Sequence, residues 1–466
     1  MSTPTVWGRL LRLVPRNTYK APKHGLQRQG LYFTSRQLSL SNQQLSTPST
    51  SSDVDNETIE SSSVVRKIKS SDAVTKHEIH QHFWKTKLGD PRSPISYHPN
   101  PAAEPFLTDR TWLRDACTCE RCVDASSGQK LYASTDIPTT LAISDIEVTN
   151  DGDLQVSFEN DFLTGGTHVS TYPREIWSRP SRYHTETVPK WEPWNRERMT
   201  KLSPYYSYQS FMTDGPEYLQ AMSALSLYGL VFLRDVPSSE EIVKDIAAKI
   251  GVIQDTFYGT TWDVKSKPNA ENVAYTDSYL GLHQDLLYMR NVPRIQILHC
   301  LENTCEGGES IFSDSYRATH QLWRLSPDIA KSLTKRQLIY HYNKGGHSYW
   351  QSRAVLSGRN VYWSPPFQHP LQPDEMTEEG MHKFRQWCKA ARNLKALFES
   401  WDSIYMYKMR PGECVIFDNI RVLHGRRAFN SSGERWLKGA YVENDSYKSL
   451  VRSLPKLTRP TESLDV

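Results

Sequence analysis

From Asn272 onward the chain is built of short apolar stretches, and these most limit the folds open to it. "NVAYT", "RIQILHCLE", "ESIFSD", "QLIYHY", "NVYWS", "ECVIFDN" and "WLKGAYVE" follow one another, rich in β-branched and aromatic residues. A helical insert is expected between about Asp374 and Ser400. Ahead of the strands come a helical pattern around "EYLQAMSALSLYG", a strand "GLVFLRDVP" and a second helix in "SSEEIVKDIAAKIG". Ser238 or Ser239 is its expected cap, with acids in the first turn. Helices followed by many strands predict a mainly β domain of two facing sheets, a jelly-roll barrel with flanking helices.

Inside this series "GLHQDLLY" puts His283 and Asp285 where packing alone would ask for Val or Leu. In a strand, residues i and i+2 point to one side, so both would enter the barrel while Gln284 faces away. An imidazole and a carboxylate are two members of the facial triad that holds Fe(II) and leaves positions open. Alone, His283 reads by default as a satisfied core histidine. A similar pair, His184 and Glu186, falls in a proline-rich connector and reads as solvated surface. Downstream, "ECVIFDNIRVLHGRRAF" carries His424 beside Gly425, which a closed barrel can return to the first pair. Arg435 follows in "ERWLKGAYVE", and a guanidinium there can grip a carboxylate through two parallel hydrogen bonds. Iron ligands followed by a carboxylate clamp fit a 2-oxoacid cosubstrate.

"HQDLLYMRNVPRIQILHCLENTCEGGES" and "FDNIRVLHGRR…RWLKGAY" resemble the γ-butyrobetaine dioxygenase/trimethyllysine dioxygenase family, within the taurine-dioxygenase-like 2-oxoglutarate oxygenases. The likeness runs from about Trp112 to Leu454. It implies a double-stranded β-helix (jelly-roll) catalytic domain and a small β-rich, zinc-binding N-terminal domain. It implies His283, Asp285 and His424 as iron ligands, Arg435 on the distal carboxylate of 2-oxoglutarate, and Leu298 lining that cosubstrate. The reaction implied couples O₂-dependent decarboxylation of 2-oxoglutarate to hydroxylation of an unactivated C–H bond, with ascorbate as reductant. A homodimer is implied as well.

Three of the seven cysteines, Cys117, Cys119 and Cys122, lie within "WLRDACTCERC". Their C-x-C-x-x-C spacing suits one tetrahedral ion. The resemblance supplies His168, in "GGTHVS", as the fourth ligand of a closed structural zinc site. His77, His80 and His82 in "HEIHQH" read as an exposed polar helix. Cys300, Cys305, Cys388 and Cys414 read as small buried hydrophobes. Alternating "LAISDIEVT" and "DLQVSFEN" make this first module, residues 64–191, β-rich. "VPKWEPWNRERM" reads as the connector to the catalytic domain, residues 202–457.

The formal charge of +4 is concentrated at one end. From Met1 to Ser41 there are seven Lys/Arg (Arg9, Arg12, Arg16, Lys20, Lys23, Arg28, Arg36) and no acid, so the remainder is mildly acidic. That balance speaks against a nucleic-acid partner. On a helical wheel Arg9, Arg12 and Arg16 oppose Trp7, Leu10, Leu11 and Val14. This reads as a mitochondrial presequence over 1–41, with a matrix location expected, followed by a polar linker over 42–63. No run approaches the ~18 apolar residues of a membrane span.

"TFYGTTWDVKSKPNAENVAYT" offers Tyr258, Trp262, Asn272 and Tyr275, and "GAY" adds Tyr441. Without the resemblance these rings would be ordinary core aromatics. With it they coincide with a cage for a trimethylammonium group, held by cation–π attraction. The expected substrate is a small quaternary amine, γ-butyrobetaine-like as in carnitine biosynthesis, with trimethyllysine as the near alternative. A non-catalytic binding protein of the same fold is the reading from another class. Two features depart from the family. Leu286 and Leu287 follow Asp285 where relatives have a proline close by. Ser364, Pro365 and Pro366 stand where relatives carry a pair of asparagines that reach the substrate.

Overall fold

The computed structural model describes residues 83–85, 91–92, 94–98, 106–149, 153–163, 165–173, 191–265, 275–430 and 433–455. The basic leader, the linker, His77, His80, His82, His184, Glu186 and Asn272 lie outside these residues. The chain divides into two compact units, Met1–Ser178 and Arg179–Val466.

In the first unit β1 (Phe83–Lys85), β2 (Ile95–His98) and β3 (Phe106–Thr108) form an antiparallel sheet. A short helix, α1 (Arg110–Asp115), starts where the Asp109 carboxylate accepts the Thr111 N–H at 2.7 Å. A second antiparallel sheet follows: β4 (Ala142–Val148), β5 (Leu154–Glu159) and β6 (His168–Tyr172). Alternation drives it, since Leu154, Val156, Phe158 and Tyr172 are buried while their neighbours face out. Leu113 of α1 joins these side chains in the core.

The second unit opens with α2 (Arg196–Leu202), within the passage expected to be an irregular connector. Asn195 caps it by accepting the Arg198 N–H at 3.0 Å, and buried Trp194 donates its indole N–H to Tyr228 O at 2.7 Å. Seven residues are too few to show a period, so only packing reveals this helix. Next come β7 (Tyr205–Ser207), α3 (Tyr208–Met212), α4 (Pro216–Tyr228), β8 (Leu230–Arg234) and α5 (Ile242–Ile250). The cap of α5 is Glu241, without a side-chain bond, and neither Ser238 nor Ser239. Ser239 N–H closes a turn on Pro237 O at 2.8 Å, which delays the helix past the serines.

The barrel strands are β9 (Thr261–Lys265), β10 (Leu280–His283), β11 (Ile295–Asn303) and β12 (Ser310–Asp314). They continue, after α6 (Ser315–Leu325) and α7 (Pro327–Lys335), with the hairpin β13 (Gln337–Lys344) and β14 (His347–Ala354). "NVYWS" yields only the two-residue β16 (Asn360–Val361), paired with β15 (Leu356–Ser357). The expected helical insert is α8 (Glu378–Phe398), with half-buried Cys388 on it. Then come β17 (Tyr405–Tyr407), β18 (Glu413–Asp418), β19 (Val422–Arg426), β20 (Arg435–Val442) and α9 (Asn444–Ser453).

Two sheets make the jelly roll, one ordered β7-β8-β18-β11-β20-β9 and the other β10-β19-β12-β17. Ile297, Phe312, Val415, Phe417 and Leu423 are among the side chains buried in its core. The turn between β18 and β19 is pinned by Arg421. Its Nε and Nη2 donate to Asp314 at 3.0 and 2.9 Å, and its Nη1 to Leu227 O at 2.6 Å. That anchorage fixes where β19 begins, and so where His424 points.

Candidate active site

β10 and β19 pair in a register that sets His283 directly opposite His424, ring centroids 4.3 Å apart. Gly425 makes the approach feasible, because a Cβ there would lie 2.5 Å from Leu280 O. Asp285 departs from the strand expectation. β10 ends at His283, so the carboxylate comes from the turn beyond it. Asn419 holds that turn. Its Oδ1 accepts the Asp285 N–H at 2.9 Å and its Nδ2 donates to Asp285 O at 3.1 Å. Gln284 does face away, fully buried, donating from Nε2 to Ile420 O at 2.7 Å.

The three ligand candidates offer atoms within 4.8 Å of one another. His283 Nε2 lies 3.3 Å from Asp285 Oδ1, and His424 Nε2 lies 3.8 Å from Oδ2. His283 Nδ1 sits 2.8 Å from Gly281 O, a pairing that makes Nδ1 the N–H donor and leaves the Nε2 lone pair facing the cluster. Burial, reinforced by His283, lowers His424 to about 3 and keeps it neutral. Burial would raise the Asp285 carboxyl, but the His283 contact and the His424 ring hold it well below its ordinary value. Two imidazoles and one carboxylate suit Fe(II) and leave one face open.

Two further groups act on Asp285 Oδ2: Gln296 Nε2 donates at 2.8 Å and the Tyr441 hydroxyl at 2.7 Å. Burial, then the Asp285 charge, pushes the Tyr441 phenol well above its ordinary value, so it stays a donor. Gln296 was missed in the sequence, although an amide inside "RIQILHC" is a detectable anomaly. Asn419 left no such signal.

The cluster opens into a pocket of about 730 Å³, its mouth included. Tyr258, Trp262, Tyr275, Tyr441, Leu298 and Arg435 all line it together with the triad. Tyr275 stands outside any strand, although "NVAYT" was read as one. Trp262 stacks on Tyr441 at 3.9 Å. Leu286, one of the departures from the family, lines it too, together with Tyr288 and Phe367, which no pattern separates from core residues. Arg435 is buried, its Nε has no hydrogen-bond partner, and no carboxylate pairs with it among the described residues. Burial lowers its pKa. An unneutralised guanidinium at one end of a pocket and three metal-ligand side chains further in are what a 2-oxoacid dianion requires.

In the first unit the thiols of Cys117, Cys119 and Cys122 lie 3.5, 3.7 and 3.6 Å from His168 Nε2. Around one tetrahedral Zn²⁺ such ligand atoms would stand roughly 3.5–3.8 Å apart, so the four side chains fit that ion. Arg114, fully buried, donates to Cys122 Sγ at 3.1 Å and to Asp161, whose other oxygen lies 3.8 Å from His168 Nδ1. It sets a positive charge beside the Cys122 sulfur.

A jelly roll with two histidines and a carboxylate at its open face, and a buried arginine beyond them, defines a non-haem Fe(II)/2-oxoglutarate oxygenase. The family model for the taurine catabolism dioxygenase TauD, TfdA family, matches residues 200–441, and the chain belongs to that family. Dioxygenase str8 of Strobilurus tenacellus is 33% identical over 367 residues, 72% of this chain and 82% of that protein. The γ-butyrobetaine dioxygenase of Pseudomonas sp. (strain AK-1) is 29% identical over 358 residues, 74% of this chain and 90% of that protein. The mitochondrial trimethyllysine dioxygenase of Gallus gallus is 27% identical over 360 residues, 74% and 83% of the two chains. This protein is accordingly an Fe(II)/2-oxoglutarate-dependent dioxygenase, not a silent relative.

Proposed function

We propose that this dioxygenase hydroxylates a C–H bond of a small substrate with a trimethylammonium head, γ-butyrobetaine being the reference compound. The observation that carries the reading is the set of Tyr258, Trp262, Tyr275 and Tyr441 rings in the same pocket as the triad. Names of two relatives, γ-butyrobetaine dioxygenase and trimethyllysine dioxygenase, support it. Each desolvated ring face contributes ~0.5–2 kcal/mol to holding such a cation.

In this mechanism His283, Asp285 and His424 would hold Fe(II), while Gln296 and Tyr441 donate to Asp285 Oδ2 and leave Oδ1 beside His283 Nε2. Arg435 pairs with the distal carboxylate of 2-oxoglutarate, and Leu298 packs beside it. The bound iron supplies O₂ activation, which couples decarboxylation of 2-oxoglutarate to succinate with hydroxylation of the substrate. The aromatic rings hold the head and exclude water. The same reading includes Zn²⁺ on Cys117, Cys119, Cys122 and His168 as a structural ion, and a mitochondrial matrix address in the leader.

Purified protein with Fe(II), ascorbate and 2-oxoglutarate should release succinate faster with a trimethylammonium compound than with its tert-butyl analogue. His283→Ala should abolish that release. Equal rates with ammonium and carbon heads would sink the cation reading, and an active His283→Ala would sink the iron assignment.

A further inference from the structure

Along β20 the side chains of Arg435, Leu437 and Tyr441 line the pocket in turn, as alternate residues of one strand do. The Arg435 end suits the cosubstrate. Past Tyr441 and the triad the wall is made by Leu286, Tyr288 and Phe367, and its composition says what the far part of the substrate is.

Phe367 arrives through the Ser364-Pro365-Pro366 turn. Ser364, buried, donates its hydroxyl to Gln284 O at 2.7 Å, and the Trp363 N–H donates to Gln284 Oε1 at 2.8 Å. Gln284 N–H returns a bond to Trp363 O at 2.9 Å. The polar groups of this segment are therefore committed to the metal-bearing turn and face away from the pocket. The prolines supply no N–H. The 3-10 turn Pro365–Phe367 then delivers a phenyl ring to the lining.

That ring belongs to a braced wall. Phe367 meets Tyr288 edge-on at 5.1 Å, and Tyr288 stacks on Tyr342 of β13 at 5.4 Å. Behind Tyr258, Phe257 stacks on Tyr349 of β14 at 5.1 Å. The Tyr258 and Tyr288 hydroxyls lie 3.5 Å from each other. Leu286 completes the wall at φ +59°, a left-handed backbone that a leucine adopts only under constraint. Among the described residues the two arginines of the lining lie together over the Phe429 ring, at the Arg435 end. Arg426 Nη2 donates to the Thr276 and Ser278 carbonyls at 2.6 and 2.9 Å, and Arg435 lies at the other end. Among the described residues, Phe367 and Leu286 offer a carboxylate no donor and the Tyr258 and Tyr288 hydroxyls are turned towards each other, so a carboxylate set against the phenyl and leucine side chains would lose hydration there.

We infer that this end of the pocket takes an uncharged, apolar tail, and that Phe367 and Leu286 are the residues that select it. The inference rests on the quaternary-ammonium reading and narrows it: the preferred substrate joins a cationic head to a hydrocarbon or aromatic tail, and is not a betaine.

Four compounds of equal length test this, with the holoenzyme and succinate release as readout: γ-butyrobetaine, its analogue with isopropyl in place of the carboxylate, and the tert-butyl counterparts of both. The apolar-tailed cation should show a KM about tenfold or more below that of γ-butyrobetaine. Phe367→Asn should reverse the order and Phe367→Leu should keep it, which separates lost selection from lost folding. A wild-type preference for γ-butyrobetaine, unaltered in Phe367→Asn, overturns the inference and leaves the head-group reading standing. If both tert-butyl compounds match their cations, the head-group reading falls, and the ratio between the two tails still decides the inference. If none of the four stimulates turnover, both fall.

Discussion

Gln296 sits in a strand of Ile and Leu, yet its amide is turned to the same Asp285 oxygen that Tyr441 holds. Hydrogen bonds to a metal-ligating carboxylate fix which lone pair the ion sees, and losing one typically weakens metal binding 10–100-fold. Gln296→Leu should therefore raise the Fe(II) concentration for half-maximal succinate release by roughly 10-fold or more. An unchanged iron titration would remove Gln296 from this role. At this scale the site was largely legible. His283, His424 and Arg435 are chemically costly in apolar segments, and their presence there was the signal. Asn419 was not legible, because an asparagine in a turn has ample reasons to be there that concern only the turn.

Pairing of elements decides the shape of the pocket more than any one residue does. β9 and β20 bring Trp262 opposite Gly439, and a Cβ on Gly439 would lie 2.5 Å from the indole ring. The tryptophan lies across the bare backbone and from there reaches Tyr441. Gly439→Val should push the indole off Tyr441 and remove one face of the aromatic wall. The loss of ~0.5–2 kcal/mol predicts a roughly 2- to 30-fold rise in substrate KM, with the iron titration unchanged. A KM equal to wild type would mean the stack does not touch substrate. Element boundaries were the less readable part of the sequence. The period-2 argument for His283 and Asp285 joined two side chains that do converge, but for an incomplete reason, since β10 stops between them and a side chain from the turn after β18 holds the second. The cap of α5 and the helix inside the expected connector likewise depended on contacts from distant residues.

Across the whole molecule, burying β11 between helix α5 and the barrel interior traps His299, which is fully buried. Burial lowers its pKa from 6.5 to about 4. The neutral ring is therefore the folded form, and the unfolded chain takes up a proton first as the pH falls. Stability from this group is present above about 6.5, declines down to about 4 and is then fully lost, a difference of about 3 kcal/mol. His299→Leu should be flatter over that window, so its urea midpoint should gain on wild type as the pH falls from 7 towards 4. Parallel midpoint curves would show that His299 titrates normally. The sequence by itself determined the class of fold and brought His283, Asp285, His424, Arg435 and the cysteine cluster into view, because strand-forming composition and metal-ligand chemistry are properties of residues. Only the tertiary structure decided how Asp285 is held, that Gln296 and Tyr441 bond to it, and that Phe367 and Leu286 join the pocket wall. Those are contacts between segments far apart in sequence, and a linear pattern carries no record of which of its many aromatics and amides will meet.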